Sequence, residues 1–240
     1  MPLPADEVHL WRVDLAAVAV AEEKWRQLLS PDERARAARF HFAEDRQFFS
    51  ATRALLRTIL ASYIGSDPAQ LVFRYSEKEK PSLAAANSAP ANFVPGNSGN
   101  HVEFNVSHSG TTALLAFAQG RALGVDVEKI RDDFDHGAIA RRFFSEHEQS
   151  ELSRLPQPEK YQGFFRCWTR KEAFIKATGT GLSFPLDQFD VSLNPEDDNA
   201  LLATRPDNAE AALWSLREVP AGDGYVGAVC VQGHGWRLRF

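Results

Sequence analysis

The sequence predicts an α+β fold of two similar lobes with pseudo-twofold symmetry, each a small antiparallel sheet packed with a long helix. Three observations predict it. Short β-type runs alternate with two long helical patterns. The halves echo each other, with Arg39-Phe40-His41-Phe42 leading to one long helix and Arg142-Phe143-Phe144-Ser145 to another. Each half also closes on a strand of small residues, Ala113–Ala118 and Val226–Val231. The junction falls near Gln119–Arg121, which gives lobes 1–119 and 120–240.

The elements follow in order. Val8–Leu15 alternates as an opening strand. Ser30-Pro31-Asp32-Glu33 starts a helix, with Ser30 as N-cap, Pro31 at the first helical position and Glu33 at the capping-box position. Glu44–Tyr63 carries an apolar face of Phe48, Leu55 and Ile59, and Gly65 stops it. Leu71–Tyr75 is a short strand. Ala84–Asn100, rich in Ala, Asn, Pro, Gly and Ser, is a loop. Val102–Ser107, Ala113–Ala118 and Ala122–Glu128 are strands broken at Ser109-Gly110 and Gln119-Gly120. Helices are predicted at Ala138–Phe143 and, behind the N-cap Ser145, at Glu146–Leu155. Pro156 and Pro158 end that stretch. A stronger helix runs over Tyr161–Thr178 to Gly179. Leu213–Val219 and Gly224–Val231 form a hairpin around Ala221–Gly224.

Composition narrows the function. The chain has 240 residues, 44% hydrophobic and 25% charged, with a net charge of −5. That is ordinary for a soluble globular protein, and its surface as a whole does not attract nucleic acid or acidic membrane. Charge is uneven, however: from Arg34 to Arg57 six arginines face two acids. Such a patch suits a small polyanion, and equally a solvated helix face. Cys167 and Cys230 are too few and too far apart for a disulfide framework or a metal cluster. The N-terminus lacks a basic region, and no apolar run reaches the roughly 20 residues that span a bilayer. A cytoplasmic location is the expectation.

Three constellations carry chemistry. In Gly124-Val125-Asp126-Val127-Glu128, Asp126 and Glu128 share one face of a strand, and two adjacent carboxylates repel unless a cation or proton lies between them. A lone pair of this kind also fits an exposed alternating strand. In Trp168–Lys176, Glu172 and Lys176 lie four apart on one helix face. That is an ordinary helix pair, but apolar residues crowd this helix all round, so the pair is expected to face a cleft or the other lobe. In Phe104–Gly110, Ser107 and His108 point to opposite faces of a strand and make no catalytic dyad. His108 is either a structural histidine or a phosphate contact.

Taken together, Asp126, Glu128 and Glu172 offer oxygen ligands with no paired His or Cys, which favours a hard cation such as magnesium. Lys171, Lys176, His108 and the arginines offer donors to phosphate. This is the equipment for chemistry on a phosphate ester or anhydride. A metal-dependent nuclease is a rival reading. Such enzymes typically carry lysine two residues after an acid on a strand, whereas here the acid–lysine pair is four apart on a helix. A non-catalytic binder of a phosphorylated ligand is a second rival, though acids, lysines and a histidine suited to catalysis are all present.

The chain resembles the Sfp-type 4′-phosphopantetheinyl transferases, whose two lobes lie in one chain. The resemblance rests on Phe104–Gly110 (FNVSHSG), Gly124–Ile130 (GVDVEKI), Arg142–Ser145 (RFFS) and Trp168–Lys176 (WTRKEAFIK) followed by Gly179–Leu182. Ser30–Phe40, Asp45–Arg57 and Lys80-Pro81 match its N-terminal segments, and the match covers about residues 28–190. It implies an enzyme of the holo-acyl-carrier-protein synthase type. Such an enzyme moves 4′-phosphopantetheine from coenzyme A to a serine of an apo acyl or peptidyl carrier protein and releases adenosine 3′,5′-bisphosphate.

By resemblance, Asp126, Glu128 and Glu172 are the magnesium ligands, and Glu172, Lys176 and His108 the catalytic residues. Arg36, Arg53, Lys80, Ser107, His108, Lys171 and Lys176 contact coenzyme A, with Arg53 near the 3′-phosphate. The N-terminal lobe is then the coenzyme A side, and the C-terminal lobe carries the carboxylates. The family also uses basic residues around positions 33 and 36; this chain has Glu33 and keeps Arg36. Carrier protein and coenzyme A are the expected partners of a monomer, with no nucleic acid or membrane.

Overall fold

A computed structural model describes residues 2–18, 21–78, 80–84, 101–181 and 184–240. The predicted loop from residue 85 to Asn100, and Leu182, lie outside the described residues.

The first half runs β1 (Glu7–Asp14), α1 (Leu15–Val18), α2 (Glu22–Leu28), α3 (Pro31–Ala37), α4 (Ala43–Ile64), β2 (Phe73–Tyr75), β3 (Pro81–Leu83), β4 (Val102–Ser109) and β5 (Thr112–Gln119). The second runs β6 (Leu123–Lys129), α5 (His136–Phe143), α6 (Glu146–Arg154), α7 (Gln157–Thr178), β7 (Phe189–Val191), β8 (Leu201–Thr204), β9 (Trp214–Val219), β10 (Tyr225–Gln232) and β11 (Arg237–Arg239).

Both halves wind the same way. The first sheet has the order β11-β1-β5-β4 and the second β6-β10-β9. In each half the opening strand pairs antiparallel with a later strand, β1 with β5 and β6 with β10, which forms a hairpin with the strand before it. Both long helices have 22 residues and end on a left-handed glycine, Gly65 and Gly179.

Four layers result: α4, the first sheet, the second sheet, α7. Period-two alternation makes the layers. On β5, Ala113, Leu115 and Phe117 pack toward α4, while Leu114, Ala116 and Ala118 join Val125, Val127, Val229 and Val231 between the sheets. Ala228 and Cys230 of β10 face α7. Because β5 is buried on both sides, it reads as an almost unbroken apolar run.

Several expectations need correction. The α7 helix begins at Gln157, not Tyr161: Pro158 sits in the first turn, where its missing N–H has no partner to lose. The halves do repeat, but Arg39–Phe42 precedes the long helix whereas Arg142–Ser145 precedes the short α6, so those two motifs are not counterparts. The repeating motif is Ser-x-x-Glu at the start of α3 and α6: the backbone N of Ser30 donates to Glu33 and that of Ser145 to Glu148. The division at 119/120 also misses β11, which returns to pair parallel with β1.

Candidate active site

β4 and β6 are edge strands of different sheets, and they meet through side chains rather than a backbone ladder. Val125 N donates to Asn105 Oδ1 (2.9 Å), Ser107 Oγ to Asp126 Oδ1 (2.7 Å) and Ser109 Oγ to Glu128 Oε2 (2.8 Å). Asn105 thus holds the backbone of β6, Ser107 and Ser109 hold its carboxylates, and together they cover its edge.

On its other side, β6 lies directly under α7. Gly124 permits this approach: a Cβ there would stand 2.2 Å from the carbonyl oxygen of Ala173 and 2.4 Å from Ala177 N. Lys176 consequently reaches back over the strand. Its ammonium donates to Asp126 Oδ1 (2.6 Å), Ser107 Oγ (3.1 Å) and Val125 O (3.5 Å). Asp126 is buried, and its Oδ2 has no hydrogen-bond partner.

Glu172, one turn earlier on α7, is held at a carboxyl pKa of about 7. Burial is the main cause; Lys176 opposes it, and the charges of Asp126 and Glu128 add to it. Glu128 is raised as well, by burial first and by Asp126 in part. Three carboxylates therefore feel one another around a single ammonium. Among the described residues, no three His, Cys, Asp or Glu side chains converge closely enough to hold a metal as they stand.

His108 borders the cluster without joining it. It is exposed on the face of β4 opposite Ser107. Its imidazole is held below the ordinary value by crowding and by the Lys176 ammonium, with Asp45 of α4 opposing.

Three cations expected at phosphate are engaged within the protein. Lys171 is fully buried: its ammonium meets Glu148 at 2.7 Å and donates to the carbonyls of Leu186 (2.6 Å) and Phe189 (2.8 Å). Lys80 caps the C-terminal end of α7, donating to the carbonyls of Lys176 (2.6 Å), Leu123 (3.2 Å) and Ala177 (3.5 Å). Arg53 gives Nε and Nη2 to Glu33 Oε1 (2.9 and 2.5 Å) and Nη2 to the Tyr75 hydroxyl (3.0 Å). In each case the charged group is already held by acceptors of the protein itself. Arg36 stays beside a cavity of about 210 Å³, with Asp32, Glu33, Arg39 and Tyr75.

Sequence reasoning missed Glu148 and its counterpart role for Glu33. Arg57 is the fifteenth residue of α4 and Lys171 the fifteenth of α7, counting from Ala43 and Gln157. Arg57 Nε donates to Glu33 Oε2 at 2.7 Å, as Lys171 pairs with Glu148. The signal was the repeated Ser-x-x-Glu spacing.

Two repeated α+β lobes, with acids and a lysine from one meeting polar side chains from the other at their seam, define the class: a duplicated chain with a candidate site between its halves. Comparison with known proteins makes the identity specific. Residues 20–120 match the family model described as 4′-phosphopantetheinyl transferase, N-terminal, and residues 122–230 match the 4′-phosphopantetheinyl transferase superfamily. The 4′-phosphopantetheinyl transferase HetI of Nostoc sp. is 40% identical over 100% of this chain and 94% of its own length. The 4′-phosphopantetheinyl transferase Sfp of Bacillus subtilis is 31% identical over 87% of this chain and 84% of its own. A putative 4′-phosphopantetheinyl transferase of Synechocystis sp. is 32% identical over 82% of this chain and 74% of its own. The chain belongs to the 4′-phosphopantetheinyl transferase family, whose reaction is transfer of phosphopantetheine to carrier proteins. Among the described residues no helix is long and apolar enough to cross a membrane.

Proposed function

We propose that this protein transfers 4′-phosphopantetheine from coenzyme A to a serine hydroxyl of an apo acyl or peptidyl carrier protein, in a magnesium-dependent reaction that releases adenosine 3′,5′-bisphosphate. The single observation that carries this reading is the cluster of Asp126, Glu128 and Glu172 around Lys176 at the seam of the two lobes.

The donor chemistry fits a hard divalent cation. Asp126 keeps one buried oxygen unpaired, and Glu128 and Glu172 both sit where added positive charge relieves them. Asp126, Glu128 and Glu172 would hold magnesium. When bound, magnesium supplies charge stabilisation for a diphosphate.

The chain's own groups do the rest. Ser107 fixes the rotamer of Asp126. Lys176 neutralises a phosphate oxygen as adenosine 3′,5′-bisphosphate departs, and His108 stands at the rim as a further phosphate contact. Glu172 takes the proton of the attacking serine at a carboxylate oxygen not used for the metal; its raised value of about 7 belongs to the metal-free site and a bound cation draws it down, so ligation comes first and the base role second. Catalysis is then mainly positioning and electrostatic stabilisation.

The Arg36–Arg39 cavity is the place for the adenosine phosphate, with Arg53 acting behind it through Glu33 rather than touching the ligand. A second groove of about 340 Å³, lined by Arg131, Phe134, Ile139 and Trp168, runs beside the site. Trp168 is one helical turn from Glu172, so this mainly apolar groove, which also carries Arg131 and Asp133, offers a small carrier a dock of apolar contacts and one arginine beside the site. Both lobes of the site lie in one chain, which supports a monomer.

The test is intact mass. Incubation with coenzyme A, magnesium and a panel of apo carriers is expected to add about 340 Da to at least one carrier serine. Carriers of unchanged mass beside the folded protein would refute transfer.

A further inference from the structure

We propose that Lys176 is the resident cation of the Asp126 site before substrate binds, and that a divalent ion enters only as the lysine moves to a phosphate, so that metal and phosphate donor bind as a coupled pair. This rests on the reading above, in which Asp126, Glu128 and Glu172 hold the metal.

The ammonium already occupies the position. It contacts Asp126 Oδ1, Ser107 Oγ and the Val125 carbonyl. A magnesium ion would take the unpaired Oδ2 at about 2.0–2.1 Å, and an ammonium held on Oδ1 of the same carboxylate repels it, so the ion binds weakly until the ammonium is drawn away.

The lysine is able to leave. Its side chain is 28% exposed, whereas that of Asp126 is only 4% exposed, so lysine has a route toward solvent and aspartate does not. Its backbone stays put, because Lys80 holds its carbonyl at 2.6 Å. Only the flexible four-carbon stem needs to swing. Metal alone would strand the ammonium without an anion, whereas metal arriving with a diphosphate gives it one. Coupling of this kind is reciprocal: each ligand tightens the other by the same factor.

The test follows Mn²⁺ binding by the electron paramagnetic resonance signal of the free ion, with and without coenzyme A. Wild type is expected to bind Mn²⁺ at least about tenfold tighter with saturating coenzyme A than without it. Lys176→Met and Lys176→Gln are expected to bind Mn²⁺ about tenfold tighter than wild type when coenzyme A is absent. Variants that bind no tighter than wild type would overturn the exchange. The metal reading itself would still stand if Asp126→Asn removed Mn²⁺ binding, and would fall, with this proposal, if Asp126→Asn left it unchanged.

A measurement on the wild-type protein covers the case in which both variants misfold. The Lys176 ammonium resonance is expected to shift when magnesium and coenzyme A are added together and to stay in place with magnesium alone. No shift with both, or the full shift with magnesium alone, would refute the exchange.

Discussion

The Lys171 ammonium and the Glu148 carboxylate meet at 2.7 Å with neither side chain exposed to solvent. Glu148 also accepts the backbone N–H groups of Ser145 and Val191, so this pair ties α6 and β7 to α7. Burial raises the Glu148 carboxyl, and Lys171 is the main group that opposes it. Lys171→Ala leaves the acid uncompensated, which costs about 3–5 kcal/mol. A thermal melt is expected to show a fall of about 10 °C. The double change Lys171→Met with Glu148→Gln should recover much of that loss. An unchanged melt combined with a raised KM for coenzyme A would return Lys171 to the ligand.

Gly124→Ala tests how α7 rests on β6. The new methyl group cannot fit against the Ala173 carbonyl without moving the helix. We expect a loss of about 1–3 kcal/mol in stability. Transfer should fall further than stability does, because Glu172 and Lys176 travel with the helix. Normal transfer in this variant would show that the helix position does not set the site.

The raised pKa of Glu172 predicts how stability varies with pH. The group moves from an ordinary 4.5 to about 7 on folding. Between those values the folded carboxyl is protonated while the unfolded one is ionised, so the folded state binds more protons. Its contribution to stability therefore falls as pH rises through that window, by roughly 3 kcal/mol at most. In metal-free protein, the difference in Tm between pH 5 and pH 7.5 should shrink in Glu172→Gln. Identical differences in the two proteins would refute the shift.

Asp126→Asn keeps shape and removes charge. Transfer is expected to drop at least about a thousandfold, the equivalent of about 4 kcal/mol at the transition state. The melt should move by only a few degrees, since Asp126 faces the site and not the apolar core. Near-normal turnover, measured by carrier mass, would end the metal assignment.

Arg131 is exposed at the rim of the aromatic groove, its guanidinium 5.2 Å from the centre of the Phe134 ring. An electrostatic carrier dock predicts that added salt raises the carrier KM. Arg131→Ala should raise that KM at low salt and flatten its salt dependence, with the KM for coenzyme A unchanged. A carrier KM insensitive to salt in wild type would exclude the dock.

Much of the chain was legible without coordinates, because local rules governed it. The capping signal at Ser30 marked the start of α3, the apolar spacing marked α4, and Gly65 and Gly179 marked the ends of both long helices. Alternation placed Asp126 and Glu128 on one face of β6, and four-residue spacing placed Glu172 beside Lys176. The motifs around those residues also carried the family.

Tertiary structure decided what each cation does. Lys171 and Lys176 lie five apart, so they point about 140° away from each other around α7. One enters the lobe's interior and the other meets the seam. Residue type announces a charge, but its partner depends on which distant element packs against that face: α6 for Lys171, β4 and β6 for Lys176, the end of α7 for Lys80. The return of β11 to β1 was likewise hidden, because three residues carry too little pattern to reveal a strand whose partner lies at the other end of the chain.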